Sequence, residues 1–208
     1  MADIELLRRW RDGERDAGSL LLRRHLPMLS RFFRDKVPSD RIADLVQKTM
    51  LGAVESRDRV PGDLEFRVYL LGIARRVLVT WLRQSKKSMR GRKDAVSEGT
   101  PANDVTPSRA VAQAAEQRLL LQALRRLPLD LQLVIELHYW EDLGTGAIAE
   151  VMGIPRGTVK SRLRRAREKL QATVEQLTDD PALRESTVGN LERWAGSLRD
   201  RSDEDEAS

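Results

Sequence analysis

Two short segments of this chain are rich in Lys and Arg at helical spacing. These are the side chains whose chemistry suggests a function. The first group contains no acid and carries a local charge of +8: Arg75, Arg76, Arg83, Lys86, Lys87, Arg90, Arg92 and Lys93. The second group sets seven cations against Glu168 alone: Arg156, Lys160, Arg162, Arg164, Arg165, Arg167 and Lys169. Guanidinium and ammonium groups bind phosphates and the base edges of the DNA major groove. Two such groups, in a chain of net charge +5, predict a nucleic-acid partner. Two solvated helix faces are the alternative.

The composition leaves little material for other kinds of site. The 208 residues include no Cys and only two His, His25 and His138, so disulfides and thiolate metal sites are excluded. The sequence contains no paired-carboxylate cluster and no nucleophile motif, and it predicts no catalytic residue, metal, cofactor or small-molecule substrate. No apolar run approaches the roughly 18–20 residues that span a bilayer, and no signal peptide opens the sequence. We therefore expect a cytoplasmic protein without a membrane span.

The second basic group follows the pattern of a helix-turn-helix. Ile148, Val151 and Met152 give a short helix one apolar face. Gly153 supplies the left-handed conformation of a tight turn, and Pro155 favours the start of a second helix. A helix placed in this way enters the major groove of DNA with its N-terminal residues.

The second helix has a buried and an exposed side when its residues are placed about 100° apart. The predicted buried stripe contains Val159, Leu163, Ala166 and Leu170. Seven residues at the start of the helix and on its other side are the predicted DNA contacts: Arg156, Gly157, Thr158, Lys160, Ser161, Arg164 and Arg165. The flanking cations Arg162, Arg167 and Lys169 suit phosphates better than bases. An ordinary amphipathic surface helix is the alternative.

Helical periodicity without strand-like alternation predicts an all-α chain of two small helical domains joined by a flexible linker. The first domain covers residues 1–87. A stretch rich in Ser, Gly and Pro makes residues 88–113 the linker. The helix-turn-helix domain covers 114–178, and residues 179–208 form a C-terminal extension.

Two helices of the first domain carry the apolar patterns that would position its basic group. The earlier one has a predicted continuous core face: Ile42, Leu45, Val46, Met50, Leu51 and Val54. The later one begins near Leu64, after Pro61-Gly62-Asp63, and directs the basic group outward. Its predicted inward side chains are Phe66, Tyr69, Leu70, Ile73, Val77 and Trp81.

The C-terminal extension contains one more candidate helix, followed by an acidic tail. Its apolar stripe contains Val188, Leu191, Trp194, Ala195 and Leu198. Such a stripe either docks on its own protein or binds a partner helix, and the pattern leaves both open. The tail Asp203–Glu206 is too polar to be buried.

Segments of both predicted domains resemble bacterial RNA polymerase sigma factors of the extracytoplasmic-function group. Gly153–Arg167 resembles the promoter-reading helix of that family, and Leu124–Pro128 is similar to the start of its fourth sigma domain. Asp44–Met50 resembles the acidic Asp-Leu-Val-Gln helix of its second sigma domain, and Phe66–Arg75 resembles the helix that follows.

The resemblance covers about residues 5–87 and 115–177, in the order of the family, and implies a promoter-specificity subunit. Its partners would be core RNA polymerase and promoter DNA, and an anti-sigma protein is common in the family. Asp44, Gln47 and Lys48 match positions that dock on the clamp coiled coil of the largest polymerase subunit.

The resemblance also implies where promoter DNA binds. The loop Arg57–Asp63, which includes Arg59, matches the site that captures a base flipped from the non-template strand of the minus-ten element. Because unstacking a base costs a few kcal/mol, such a site must be preformed. The residues that would follow the phosphates of that strand are Arg75, Arg76, Arg83 and Lys86. Lys160, Ser161, Arg164 and Arg165 match positions that read the minus-thirty-five element.

The sequence departs from the family pattern at two places. Arg76 stands where the family commonly has Asn. Gly144 and Gly146 stand near the start of the first helix of the helix-turn-helix, which usually opens with a Ser cap, and Thr145 offers a cap instead.

Three other functions account for less of the sequence. A stand-alone DNA-binding regulator explains the helix-turn-helix but not the basic helix and loop of the first domain. An enzyme such as a nuclease lacks the residues for catalysis. A polymerase-binding protein without DNA contacts leaves the second basic group without a role.

Overall fold

A computed structural model describes residues 1–62, 64–90 and 109–189, with side chains at 1–62, 64–85, 115–187 and 189. Within these ranges the chain is all-α and forms no strand. The helices are α1 (Asp3–Arg11), α2 (Arg15–Arg24), α3 (Leu26–Arg34), α4 (Ser39–Ser56), α5 (Phe66–Arg90), α6 (Arg109–Arg125), α7 (Leu129–Tyr139), α8 (Thr145–Met152), α9 (Arg156–Leu177) and α10 (Pro181–Gly189). A single 3-10 turn, Arg57–Arg59, follows α4. None of these helices is both long and apolar enough to span a membrane.

The first five helices enclose the core of the N-terminal domain. Helix α1 packs on α2, α3 on α4, and α4 on α5. Leu21, Leu29, Phe33, Leu45 and Leu70 are completely buried between them. The chain turns where the sequence places helix breakers, since Pro38 precedes α4 and Pro61 follows the 3-10 turn.

Helix α4 corrects one expectation about the core. Leu45 and Val46 are buried as predicted, but the Leu51 and Val54 side chains are 56% and 39% exposed. The predicted core face was wrong at these two positions. The apolar residues of α4 lie on several sides of the helix, so the sequence allows more than one buried face. Packing against α3 and α5 decides which face is buried.

Helix α5 is buried on two sides rather than one. Besides the predicted inward residues, Val68, Leu71 and Leu78 are almost completely buried. At about 100° per residue they lie with Arg75 on a second side of the helix. Helix α8 of the helix-turn-helix domain contacts α5, and Arg75 is consequently half-buried instead of fully outward.

The helix-turn-helix has the predicted turn. Gly153 adopts φ +63°, a left-handed conformation that costs other residues free energy, and it ends α8. Ile148, Val151 and Met152 are buried, and α8 packs on α9. No side chain caps α8: the Thr145 hydroxyl instead accepts a hydrogen bond from Arg156 Nε at 2.9 Å.

The two domains are packed together along a contact that we call the domain seam. Buried apolar residues of both domains belong to one continuous cluster. Arg31 of α3 makes a bidentate ion pair with Glu141, at 3.0 and 3.2 Å. Next to it, the Lys36 ammonium bonds to the Glu136 carboxylate. Asp35 pairs with Arg125 at 3.0 Å.

The buried pair of the seam is held tightly from both sides. The Lys36 side chain is only 2% exposed, and its ammonium also donates to the Phe32 carbonyl at 2.5 Å. Gln132 donates a hydrogen bond to Glu136 at 2.8 Å. Burial raises the pKa of the Glu136 carboxyl, and the charge and hydrogen bond of Lys36 oppose that rise.

The last described helix, α10, packs on α6 and α9 and so extends the helix-turn-helix domain. Thr187 of α10 is completely buried, and its hydroxyl donates to the Leu183 carbonyl at 2.6 Å. The whole predicted apolar stripe of the extension, which consists of the Val188 side chain and residues within 191–198, lies outside the described residues. So does the acidic tail. Of the predicted linker, α5 occupies 88–90 and α6 occupies 109–113, and residues 91–108 lie outside the description.

Candidate nucleic-acid interface

The start of α9 presents a basic surface without an acidic residue. Six of the seven predicted DNA contacts are exposed and Thr158 is half-buried: Arg156, Gly157, Thr158, Lys160, Ser161, Arg164 and Arg165. The opposite stripe is buried as predicted, with Val159, Leu163, Ala166 and Leu170 at most 5% exposed. The helix therefore turns its cations to solvent, where they can meet a polyanion.

Two of the four cations on this surface are free to bind a new partner. Within the described ranges, Lys160 and Arg165 make neither a hydrogen bond nor an ion pair. Arg164 pairs with Glu168 at 3.8 Å, and both side chains are largely exposed, so this pair is weak.

The flanking cations are more constrained. Arg167 Nε donates to the Tyr139 hydroxyl at 2.9 Å, and its guanidinium lies 5.6 Å from the centre of that ring. Arg162 pairs with Asp130 at 3.6 Å.

The basic side of α5 is partly covered. Arg76 and Arg83 are exposed, whereas Arg75 Nε is buried and has no hydrogen-bond partner among the described residues. Burial lowers the pKa of Arg75, and the nearby charges of Arg162 and Arg76 act in the same direction. The Lys86 side chain lies outside the described residues.

A groove of ≈ 440 Å³ between α4 and α5 brings several candidates together. Lys48, Arg59 and Arg76 line it beside the half-buried Trp81. Sites for single-stranded DNA combine an aromatic ring, on which a base stacks, with cations for the backbone. The sequence reading missed Trp81 as a functional residue because its helical position predicts core, and only the groove reveals its free side.

The loop before α5 begins with the 3-10 turn and is held in place by neighbouring side chains. The Arg57 guanidinium lies 5.8 Å from the centre of the Trp10 ring, and Arg59 is exposed. Val60 is buried at 3% exposure, which holds the loop against the domain. Asp63 lies outside the described residues.

The predicted docking residues share one side of α4. Gln47 and Lys48 are exposed and Asp44 is half-buried, with a 2.7 Å ion pair between Asp44 and Lys48. The exposed Leu51 and Val54 follow Gln47 by four and seven residues and extend the same side. Sequence reasoning assigned these two residues to the core, so it missed an apolar patch that a partner could cover.

Both histidines make structural hydrogen bonds. His25 Nε2 lies 2.7 Å from Asp3 Oδ2, and burial lowers the pKa of His25. His138 Nδ1 lies 3.1 Å from the Leu143 carbonyl. Among the described residues, no group of three His, Asp or Glu side chains is placed to hold a metal ion.

Comparisons with known proteins match both halves of the chain. The family model for sigma-70 region 2 matches residues 21–88, and that for sigma-70 region 4 matches residues 117–170. The "ECF RNA polymerase sigma-E factor" of Haemophilus influenzae is 29% identical over 189 residues, which cover 85% of this chain and 97% of the relative. The protein of the same name from Escherichia coli K12 is 28% identical over 184 residues, covering 85% and 96%.

Two solved structures share the fold. CnrH, in a complex with the cytosolic domain of CnrY, superposes with a TM-score of 0.60 at 24% identity and covers 86% of this chain and all of CnrH. The sigma factor RpoE of Bartonella quintana, in a complex with the anti-sigma factor NepR, gives a TM-score of 0.56 at 22% identity, with 77% and 95% covered.

Proposed function

Because this chain belongs to the extracytoplasmic-function group of sigma-70 RNA polymerase sigma factors, we propose that its two basic helices divide promoter recognition between them. Like other sigma factors, it binds core RNA polymerase, recognises promoter DNA and promotes transcription initiation. Helix α9 reads a duplex element, and α5 with the preceding loop holds a melted strand. The observation that supports this proposal is that each of the two domains carries one helix with an exposed group of cations.

The minus-thirty-five element meets the start of α9. Its contacts are Arg156, Gly157, Thr158, Lys160, Ser161, Arg164 and Arg165. Lys160 and Arg165 are exposed, and no side chain of the described ranges bonds to them, so they can bind DNA without breaking an internal contact. Arg165 suits guanine, whose two acceptors match a guanidinium fork. Gly157 lets a phosphate approach the backbone closely.

The minus-ten element meets the groove between α4 and α5. Arg59 and Arg76 are its contacts in the groove. The further proposed contacts lie on the preceding loop and along α5: Arg57, Arg75, Arg83 and Lys86. The loop takes up a flipped base, Trp81 offers a stacking surface, and the cations hold the strand's phosphates. Arg76 replaces the Asn that is common in the family, so we assign it to a phosphate rather than to a base edge.

Core polymerase docks on the exposed side of α4. Asp44, Gln47 and Lys48 supply the polar contacts, and the exposed Leu51 and Val54 supply apolar area at the same surface. Apolar side chains at the centre of a polar surface are typical of protein interfaces.

The remaining assignments follow from this division of tasks. We propose residues 1–87 as the polymerase-binding and minus-ten domain, 88–113 as the linker, 114–178 as the minus-thirty-five domain and 179–208 as an accessory extension. The protein acts in the cytoplasm and catalyses no reaction itself. Since the solved relatives bind the cytosolic domain of CnrY and NepR, a comparable regulator is a further proposed partner.

Transcription in vitro from a promoter library, with purified core polymerase, tests the function directly. We expect initiation at a defined set of promoters only when the chain is added. Identical start sites with and without it would overturn the proposal. Tight, sequence-specific promoter binding that needs no core polymerase would favour the alternative, a stand-alone regulator.

The docking surface is tested by replacing Asp44 and Gln47 together with Ala. We expect weaker binding to core polymerase and an unchanged helical circular-dichroism spectrum, because both residues lie on the outer side of α4. Asp16→Ala is the control, since it removes a carboxylate that is exposed on another helix, α2. Full retention of core affinity in the double variant would remove these residues from the interface.

A further inference from the structure

The end of α1 grips the loop that is proposed to capture a base. Arg11 is the last residue of α1, and its side chain is half-buried. Its Nε and Nη2 atoms both donate to the Arg57 carbonyl at 3.0 Å. Nη2 also donates to the Val60 carbonyl at 2.6 Å. One guanidinium group thus ties together two backbone oxygens at the two ends of the 3-10 turn.

The 3-10 turn by itself holds these carbonyls less firmly. The Arg57 carbonyl, at the C-terminus of α4, accepts a long hydrogen bond from the Val60 amide at 3.4 Å. Val60 leaves the 3-10 turn in an extended conformation, so its carbonyl is outside the helical bonding. The planar guanidinium fork fixes the relative position of both oxygens, which a flexible ammonium group would do less well.

The residue before Arg11 fixes the side chain of the same loop. Trp10 is 6% exposed and its ring lies under the Arg57 guanidinium. The ring packs directly on α2 at Gly18, where it occupies the space of a side chain: an added Cβ atom would lie 2.4 Å from it. The Phe66 ring of α5 packs edge-on against the Trp10 ring, with 6.5 Å between the ring centres. Helix α1 therefore sets both the backbone and one cation of the loop.

We propose that Arg11 is a positioning residue for base capture: it holds the Arg57–Gly62 loop in its binding shape before DNA arrives. The inference rests on the proposed function of this loop in capturing a flipped base. Because extrusion of a base is costly, a loop that must also be ordered on binding captures it less often than a loop that is already in shape. Helix α1 precedes the segment that matches sigma-70 region 2, which begins at residue 21.

The test uses holoenzyme, assembled from core polymerase and the full-length chain, and fluorescent single strands that carry the minus-ten element of one of its promoters. An abasic site is moved through the strand to find the position at which wild-type holoenzyme needs a base. We expect roughly a tenfold or larger loss of affinity at one position, in line with the usual effect of one stacked base. The ratio of affinities for the intact and abasic strands is the readout.

In Arg11→Gln holoenzyme this ratio should fall toward one, while affinity for the abasic strand stays within about twofold of wild type. Arg11→Lys should keep part of the ratio, since Lys retains the charge and some of the donors. Arg8→Gln is the matched control: it removes an exposed Arg of the same helix, one that pairs with Glu5 at 3.0 Å, and it should keep the full ratio. Melting temperature and binding to a minus-thirty-five duplex verify that each variant is folded.

Each of the following outcomes overturns the inference. A wild-type ratio in Arg11→Gln would show that the loop holds its shape without Arg11. An equal loss on intact and abasic strands would make Arg11 a phosphate contact instead. If Arg11→Gln fails to fold, Arg11→Lys is measured in its place. An Arg11→Lys holoenzyme that loses affinity equally for the intact and the abasic strand keeps the wild-type ratio and counts against positioning. Wild-type holoenzyme that is indifferent to every abasic site would instead refute the function proposed for the loop, and the inference with it.

Discussion

Helices α5 and α9 carry similar basic stripes, yet their surroundings differ. The cations at the start of α9 face solvent, and two of them, Lys160 and Arg165, bond to nothing else within the described ranges. On α5, by contrast, Arg75 is half-buried where α8 packs against the helix. A charged stripe predicts which helix attracts DNA, but the packing decides which part of the stripe can reach it.

The difference arises from a second apolar stripe. Val68, Leu71 and Leu78 give α5 a side that the helix-turn-helix domain can cover, whereas the outer side of α9 has no comparable set. Burying apolar area favours this contact, at about 25 cal/mol per Å². The cost is that a guanidinium group is buried near another Arg. In this arrangement the surface of α9 proposed to read a duplex is open, and the surface of α5 proposed to bind a single strand is partly closed.

The largest effect is expected at the domain seam, which holds α8 against α5. Glu136→Ala leaves the Lys36 ammonium, 2% exposed, without its partner. We expect a loss of about 3–5 kcal/mol in the free energy of unfolding, as for other broken buried pairs. Denaturant unfolding measures the loss, and hydrogen exchange should increase in α5 and α8 together.

The control for this variant removes both charges at once. Lys36→Met combined with Glu136→Leu leaves no buried charge, so its stability should stay close to that of the wild type. If Glu136→Ala lowers the free energy of unfolding by less than about 1 kcal/mol, the ion pair does not hold the seam. The difference between α5 and α9 would then not depend on this pair.

A smaller effect is expected on the open side of the comparison. Arg165→Ala should cost about 1–3 kcal/mol of discrimination between promoter sequences if the guanidinium forks onto a base. Lys169→Ala, further along the same helix, should weaken binding to all sequences about equally, since Lys169 is expected to meet phosphates. Binding titrations of holoenzyme on duplexes with altered minus-thirty-five elements measure both. Unchanged sequence preference in Arg165→Ala would remove Arg165 from the readout.

The smallest effect sharpens the contrast within α5. Arg75→Met replaces a guanidinium group with a buried, partnerless Nε by an apolar chain. We expect the free energy of unfolding to rise by up to about 1 kcal/mol. Binding to the minus-ten strand should weaken less than in Arg76→Met, because α8 partly covers Arg75. The exposed Arg76→Met should weaken strand binding without this gain. A destabilised Arg75→Met chain would show that the covered cation has a favourable partner in solution.

Local patterns predicted a large part of the fold and which side of α9 is exposed, whereas the assignment of its residues to DNA stays a prediction. The left-handed Gly153 and the buried stripe of α9 were both predicted, because they depend on residues within a few turns of each other. The prediction for α4 was wrong at Leu51 and Val54, and the second buried side of α5 was missed, although its apolar spacing is visible in the sequence. In both cases the periodicity was present, but the partner helix that selects a stripe could not be identified from it.

By itself, the sequence determined that the chain is helical, that two of its helices are basic, and where the helix-turn-helix bends. These properties follow from hydrophobic periodicity, charge and the conformational freedom of one glycine, all of which act over short distances along the chain. Only the tertiary structure decided that α8 covers part of α5, that Arg31 finds Glu141 across 110 positions, and that Arg11 holds the loop at Arg57. The chain has 37 cationic and 32 acidic side chains, so opposite charge by itself allows a very large number of different ion pairs. The packing of apolar surfaces selects among them, because it fixes which charges are brought within reach and removed from water.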